Sequence, residues 1–483
     1  MADELTYPEL SEDLKGGLKL GSLKYFGAGA IMASVTIGSG ETFFASRGGA
    51  IFGHTLLWCF VASAIMKGVQ VYTAGRHIAL TGEHPMTHWG RLPGTRPFNI
   101  PIIPWLMGIL SIACFPFWLA GLPMFIGQIM NWILGTTGSD EQLLLYARCW
   151  GTFFIVLAAT LTWIQSYGIL EKVQTILVGT LLVSILAAFF ATHPDWVAMF
   201  KGTFVPTLPN PAYEPWVVEN YPDVAKISIW VAIGTFLGAI GGGTYDYLGY
   251  VGCFREKKWG LIQTRDGIGD DRELPISLAP ENVSRGKRWL LPVQIDVWTG
   301  FFCVLVFTIC FMVLGAEVLH VKHIIPDGNE PLRHQALFVT SFHPMMKYVY
   351  MVGVFMAFWG TIYGAYEIYI RTARECFRPV SKTVHDMDEG KFRRIILLYC
   401  GLGGLTIMWT NSDPGSVVAI PAIIGGVFTC GIWCFLMIWT NFHFLPKPFR
   451  MSPLLLVLNV ISGLVLTILG GKAILGLISK MLG

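Results

Sequence analysis

Two acidic residues of this 483-residue chain lie inside apolar stretches, each beside a group of glycines. Glu41 belongs to Ile37-Gly-Ser-Gly-Glu-Thr42, and Asp246 belongs to Ile240-Gly-Gly-Gly-Thr-Tyr-Asp-Tyr247. Glycine has no Cβ and lets a helix unwind, which frees carbonyls for a cation and a half-helix N-terminus for an anion. An ionisable side chain in such a place usually faces a cavity or a partner. The two segments therefore predict a binding site for an ion or a small charged solute.

The predicted site takes residues from both segments. We expect Glu41 to contact the bound species directly or through its water, and Asp246 to be the second candidate metal ligand. Carbonyls near Gly38 and Ile240 would complete the site, and Gly243 would provide room. The predicted substrate-binding residues are Gly38, Ser39, Gly40, Glu41, Ile240, Gly243, Thr244, Tyr245 and Asp246.

Each of these features also has a purely structural interpretation. The glycines can serve only to let helices pack closely, as small residues often do in membranes. Glu41 can form a structural ion pair with Arg47, and Asp246 can act as an ordinary helix cap. Two matched glycine clusters, each with an acid beside it, favour the binding site over these alternatives.

The composition indicates an integral membrane protein whose main partner is the lipid bilayer. Hydrophobic residues make up 53% of the chain, charged residues only 13%, and the mean hydropathy is +0.57; soluble domains have about 25% charged residues. The net charge of +3, with Lys and Arg in the connections, gives no basis for nucleic-acid binding. No catalytic or nucleotide-binding motif occurs, so neither an enzyme nor a cofactor is predicted.

Eleven apolar stretches are long enough to cross a bilayer. Lys and Arg concentrate in the connections after the sixth and eighth stretches and are absent from residues 135–141, which predicts a cytoplasmic N-terminus and an external C-terminus. The predicted spans lie near residues 23–50, 53–80, 101–135, 144–167, 169–192, 227–254, 290–316, 337–370, 393–410, 415–440 and 452–481.

The two glycine clusters fall at matching places, about midway along spans one and six, and both begin Ile-Gly-x-Gly. Such paired interruptions are typical of transporters built from inverted repeats. We therefore predict an N-terminal segment, a first five-helix repeat, an external loop, a second five-helix repeat and an eleventh helix. Their predicted boundaries are 1–22, 23–192, 193–225, 226–440 and 452–481.

Span one resembles the first helix of the Nramp family of divalent-metal transporters. That family has an Asp-Pro-Gly-Asn motif followed by a run similar to Gly-Ala-Ile-Phe-Gly-His-Thr-Leu-Leu-Trp58 of this chain. Gln294-Ile-Asp296 is similar to its Thr-Ile-Asp, and Trp359-Gly-Thr-Ile-Tyr-Gly364 is similar to a motif of its eighth helix. The resemblance implies an all-α integral membrane protein with the leucine-transporter-type fold: two inverted five-helix repeats plus an eleventh helix.

The metal-binding motifs of that family are substituted here. Gly38, Ser39, Gly40 and Glu41 stand at the positions of its Asp-Pro-Gly-Asn, so Gly38 replaces a metal-binding Asp. Its Met-Pro-His corresponds to Gly243, Thr244 and Tyr245, and its two proton-path acids in span three correspond to Phe115 and Trp118. Span ten contains no Gln to supply a further metal contact of that family.

These losses change which cation the resemblance implies. A thioether favours softer transition metals, whereas carboxylates, carbonyls, hydroxyls and water suit Mg²⁺, Ca²⁺ and Mn²⁺. The chain is similar in this respect to the Nramp-related magnesium transporters, which lack the soft ligand and proton coupling but retain the first-helix Asp more closely. We predict a secondary transporter of a hard divalent cation such as Mg²⁺ or Mn²⁺, without the usual proton path.

Two other functions remain open at this stage: a transporter of a small organic solute, and a non-transporting receptor or sensor with the same fold. Whether Glu41 and Asp246 face one aqueous cavity would separate them, because a dry, tightly packed break favours the sensor. The sequence leaves open the identity of the substrate, ion coupling, the direction of transport and the oligomeric state.

Overall fold

The protein consists of helices that cross the membrane, joined by short connecting helices and loops. The computed structural model describes residues 4–16, 20–97, 100–164, 167–265, 274–326, 334–340, 345–411 and 413–482. All eleven predicted spans are helical within this part of the chain, and we number them α1 to α11. In the described residues, nine helices are long and apolar enough to cross a membrane as single elements. The other two of the eleven spans, α1 and α6, are divided into shorter segments.

The observed bounds follow the predicted ones closely at most positions. The helices are α1 (Ala28–Thr36, Ile37–Ala45 and Ser46–Phe52), α2 (Leu57–Thr81), α3 (Ile102–Ile133), α4 (Asp140–Ile164), α5 (Tyr167–Ala191), α6 (Ile229–Ala239 and Thr244–Lys257), α7 (Leu290–Leu314), α8 (Met346–Phe377), α9 (Glu389–Thr410), α10 (Pro414–Ile423, Ile424–Phe428 and Thr429–Phe444) and α11 (Pro453–Leu482).

The two divided helices lie at the centre of the bundle. Helix α1 packs against α5, α7 and α8, and the second half of α6 packs against α1, α2 and α8. Helix α10 and α11 cover the first half of α6. This arrangement buries the middle of both divided helices, so any polar group there must find its partner inside the protein.

Helix α1 is not broken, which corrects the prediction of an unwound segment at Gly38. Residues Ile37–Ala45 continue the helix as a π-helix. In this wider helix the hydrogen bonds join residues five positions apart. The hydroxyl of Thr42 donates to the carbonyl of Ile37 over 2.7 Å, so this carbonyl is satisfied within the helix. At the start of the π-helix the N–H of Gly38 donates to Thr361 Oγ1 of α8 over 3.1 Å, and the same hydroxyl donates to the carbonyl of Ser34 over 2.8 Å. These two backbone groups are thus satisfied by another helix, and π-helical insertions are frequent at functional sites.

Helix α6 is broken as predicted. Its first half ends at Ala239 and its second half begins at Thr244. Gly241 and Gly242 have φ angles of +73° and +82°, a conformation that side-chain-bearing residues rarely adopt. The three consecutive glycines therefore allow the chain to leave one helix and start a new one within the same span.

A buried carboxylate fixes the start of α1 against α7 and the second half of α6. Asp296 Oδ1 accepts hydrogen bonds from the backbone N–H groups of Gly27 (2.8 Å) and Gly29 (3.0 Å). Its Oδ2 accepts from the hydroxyl of Tyr250 over 2.6 Å. Asp296 is the residue that ends the Gln-Ile-Asp motif noted in the sequence, and here it serves as the cap of α1.

Replacing Asp296 by alanine is expected to destabilise the protein by roughly 3 kcal/mol, because two buried N–H groups and one hydroxyl lose their acceptor. Thermal unfolding of the detergent-solubilised protein measures the effect. Tyr250→Phe is the matched control, since it removes one of the three hydrogen bonds and should lower the melting temperature by a smaller amount. An Asp296→Ala variant that melts with the wild type would show that this carboxylate does not anchor α1.

Candidate functional site

The break of α6 is bridged to α1 by the first of the two predicted acids. Glu41 Oε1 accepts a hydrogen bond from the backbone N–H of Gly241 over 2.9 Å. The second oxygen, Oε2, is buried and has no hydrogen-bond partner. Arg47, the alternative partner considered from the sequence, donates to the carbonyl of Pro326 over 2.6 Å. Glu41 thus holds the two central helices together with one oxygen and presents the other to the interior.

The second predicted acid, Asp246, lies in the first turn of the second half of α6. Its Oδ2 accepts from the backbone N–H of Gly243 over 2.8 Å, so the residue does cap the half-helix. Its Oδ1 is buried without a hydrogen-bond partner. Capping and ligand binding are therefore compatible here, because each function uses a different oxygen.

Asp246 lines a small enclosed cavity between α1, α3, α6 and α8. The cavity has a volume of about 20 Å³, which is enough for roughly one water molecule. Its lining residues are Val35, Thr36, Trp118, Leu122, Ala239, Gly242, Asp246, Thr361 and Tyr369. Glu41 and Asp246 are 0% and 5% exposed, so both acids are buried from solvent in this structure.

Lysine 67 was missed by the sequence analysis and is the strongest cationic feature of the site. It lies midway along α2, is fully buried, and its ammonium donates to carbonyls of the α6 break. One of these is the carbonyl of Ile240, at 2.5 Å, which the sequence analysis had assigned to the substrate. The signal was present in the sequence, because a lone lysine in an apolar span is as costly as a lone acid.

The remaining carbonyls of the break are also satisfied from within the protein. The hydroxyl of Tyr247 donates to the carbonyl of Gly241 over 2.6 Å and contacts that of Gly242 at 3.3 Å. The α6 break is therefore dry in this form, the arrangement that the sequence analysis associated with a receptor or sensor. Among the described side chains of these two segments, only Glu41 Oε2 and Asp246 Oδ1 are buried atoms without a hydrogen-bond partner.

The glycines of both segments permit close helix contacts and do not create room. A Cβ on Gly38 would overlap Thr361 Oγ1 of α8, and a Cβ on Gly40 would overlap the carbonyl oxygen of Ala239. A Cβ on Gly243 would come within 2.7 Å of the Gly425 carbonyl oxygen of α10, which corrects the expectation that Gly243 provides space. The backbone of Ser39 lies in the same π-helical segment as Gly38 and Gly40.

The other two predicted residues face α10 and α3. The hydroxyl of Thr244 accepts from Thr429 Oγ1 at 2.9 Å and donates to Cys430 Sγ at 3.4 Å. The hydroxyl of Tyr245 accepts from Trp118 Nε1 at 2.5 Å. Both hydroxyls form hydrogen bonds with neighbouring helices, so in this closed form Thr244 and Tyr245 fix the position of the α6 half-helix.

Side chains alone do not form a conventional metal cluster. Within the described ranges, no three His, Cys, Asp or Glu side chains converge to a geometry that could hold a metal ion. The cavity beside Asp246 is not lined by Glu41, so the two acids do not share a cavity in this form.

The fold defines a class, that of multi-pass membrane proteins with the leucine-transporter-type fold. The structure is similar to a manganese transporter from Eremococcus coleocola, crystallised with an aromatic bis-isothiourea substituted compound. The TM-score is 0.65 at 14% identity, over 97% of this chain and 88% of the other. MhsT in complex with L-phenylalanine matches with a TM-score of 0.53 at 12% identity, over 95% of this chain and 98% of the other.

A family model described as Nramp, natural resistance-associated macrophage protein-like, matches residues 29–240, from the start of α1 to the α6 break. Over this part of the chain the sequence is therefore similar to the Nramp family, as the resemblance of span one predicted. No curated protein sequence matches it.

Proposed function

We propose that this protein is a secondary transporter of a hard divalent cation such as Mg²⁺ or Mn²⁺, with Glu41 and Asp246 as its ligands. The observation that carries the proposal is the pair of buried carboxylates at the two divided helices. Each uses one oxygen to hold the backbone of the α6 break and leaves the other without a partner. A buried carboxylate oxygen without a partner is costly unless a ligand satisfies it during function.

The donor atoms favour a hard cation. Carboxylate and hydroxyl oxygens suit Mg²⁺ and Mn²⁺, and Mg²⁺ commonly keeps several waters while it contacts one or two carboxylates. The cavity beside Asp246 has space for about one water in the closed form, so a hydrated ion needs the site to open. The closed structure then corresponds to the stage of the cycle between binding and release.

The aromatic residues in α3 support transport without the proton path of the related family. Trp118 donates its indole N–H to Tyr245, and Phe115 stacks on Tyr369 with a ring-centroid distance of 4.2 Å and an interplanar angle of 9°. These residues stand where the related family has acids. Neither Phe115 nor Trp118 carries a titratable group that could exchange a proton at this place.

The test is cation influx into liposomes that contain the purified protein, with internal indicators for Mg²⁺, Mn²⁺ and Ca²⁺. Asp246→Asn keeps the hydrogen bond to Gly243 through its amide oxygen and removes the charge, so we expect influx to fall at least about tenfold, the equivalent of ~1.4 kcal/mol. The matched control is Asp223→Asn, the same chemical change at a side chain that is 91% exposed and remote from the site.

Each result has a defined meaning. Influx that depends on Asp246 and is unaffected by Asp223→Asn supports the proposal. Influx of none of the three ions would overturn it, and binding of an ion without influx would favour the receptor or sensor. The pH of the liposome lumen provides a second readout, because transport without a proton path should not acidify the lumen.

A second candidate, a transporter of a small organic solute, is favoured by one observation. An apolar cavity of about 560 Å³ lies between α1, α5, α7 and α8 and includes Ile37 and Thr42 of the π-helical segment. Aromatic rings of Phe307, Phe311 and Phe338 line it. Stabilisation of the protein by an apolar amine or amino acid, with no response to divalent cations, would favour this function.

A further inference from the structure

The ammonium of Lys67 occupies a ring of backbone carbonyls at the α6 break. Its Nζ lies 2.7 Å from the carbonyl oxygen of Leu237, 3.2 Å from that of Gly238, 2.5 Å from that of Ile240 and 2.8 Å from that of Gly242. Lys67 is 0% exposed, so water does not compete for these oxygens. The ammonium has three N–H donors and is surrounded by four acceptor oxygens. The oxygens therefore surround it as they would surround a bound cation.

The position of this ring makes it attractive to any cation. The carbonyls of Leu237 and Gly238 belong to the last turn of the first half of α6, where the helix leaves its C=O groups without intrahelical partners. The negative end of the helix dipole adds to their field. The carbonyls of Ile240 and Gly242 come from the break itself, and the charge of Lys67 also interacts with Glu41 and Asp246.

Lys67 reaches the ring from a different helix and a distant part of the sequence. Its partners are 170 to 175 positions away along the chain. A lysine that only needed to avoid lipid would extend toward the membrane surface instead. The ammonium therefore stays inside because the ring compensates for its lost hydration.

We propose that the α6 carbonyl ring is a cation-binding site that Lys67 fills permanently with its own ammonium. The side chain takes the place of a bound monovalent cation and holds the α6 break in shape. The ring is consequently closed to the transported ion, which is left with the carboxylate oxygens on the other side of the break.

This inference goes beyond the proposed function and does not depend on it, because the ring can be tested by binding alone. One consequence does rest on the proposed function: divalent-cation influx through the wild-type protein should be unchanged when Na⁺ or K⁺ is replaced by choline. The ring has no vacancy for a second ion.

Removal of the side chain should make the ring a site for an added cation. Lys67→Ala removes one donor from each of the four carbonyls, of which Leu237 keeps Ser63 and Gly242 keeps Tyr247, and opens space for a small organic cation. We expect its melting temperature in choline chloride to fall below that of the wild type. Sodium or methylammonium chloride at equal ionic strength should then raise it by at least about 2 °C more than choline does.

Lys67→Met is the second variant and is used in case Lys67→Ala does not fold. Methionine fills the space of the lysine stem but leaves the ring without a charge, so this variant should respond to Na⁺ and respond less to the larger methylammonium. The wild type serves as the control, and its melting temperature should be the same in all three salts.

The outcomes separate the proposal from a merely structural role of Lys67. A rise in melting temperature that depends on the salt and occurs only in the two variants supports a cation site. Variants that melt alike in sodium, methylammonium and choline would overturn it, whether they are as stable as the wild type or unfolded in every salt. Absence of divalent-cation influx through the wild-type protein would count against the proposed function. It would not change the meaning of the melting temperatures for the carbonyl ring.

Discussion

Replacing Glu41 by glutamine is expected to abolish most cation influx while the protein remains folded. The amide oxygen of glutamine can still accept the hydrogen bond from the Gly241 N–H, so the contact between α1 and the α6 break is kept. The charge and the free carboxylate oxygen are lost. If that oxygen contacts the ion, influx should fall about 30-fold or more, which corresponds to ~2 kcal/mol.

Glu41→Ala supplies the comparison that separates binding from structure. It removes the bridge to Gly241 as well as the charge and should lower the melting temperature, whereas Glu41→Gln should melt close to the wild type. Influx is measured in liposomes and stability in detergent. Normal influx through Glu41→Gln would show that the carboxylate only joins the helices, and the ligand would have to be sought at Asp246 alone.

Replacing Gly40 by alanine is expected to have the largest effect on folding. The added Cβ would overlap the carbonyl oxygen of Ala239, which is backbone and cannot rotate away as a side chain can. The α1 and α6 helices must then separate where Glu41 bridges them. Overpacking of this kind costs roughly 1–3 kcal/mol, and we expect loss of transport together with a clearly lower melting temperature.

Gly179→Ala is the matched control for this substitution. It is the same change in another membrane-spanning helix, α5, and its added Cβ would meet no atom within 4 Å. Alanine is a better helix former than glycine by about 1 kcal/mol, so this variant should be as stable as the wild type or slightly more stable. Equal melting temperatures of Gly40→Ala and Gly179→Ala would contradict the close contact at Gly40.

The charges at the site explain why the substitutions are informative. Glu41, Asp246 and Lys67 are all buried around the same break, and Lys67 interacts electrostatically with both acids. Burial strengthens their mutual interactions, because the surroundings screen charge poorly. A substitution that removes any one of them therefore changes the affinity for a cation as well as the local packing.

The sequence by itself determined the class of fold and the two segments at its centre. The length and hydropathy of a span are local properties, and each of the eleven predicted spans is a helix in the described residues. The three consecutive glycines before Thr244 likewise predicted the break of α6, because two of them adopt positive φ angles. The similarity to the Nramp family was visible in the local motif of span one and agrees with the family-model match to residues 29–240.

Only the tertiary structure decided how the two segments are used. Gly38 donates its N–H to Thr361 Oγ1, which is 323 positions away, and Lys67 binds carbonyls of another helix. These partners are brought together by packing of whole helices, which no pattern within a single segment encodes. Glycine permits both an opened backbone and a close contact, and the neighbouring helices selected π-helix in α1 and a break filled by lysine in α6.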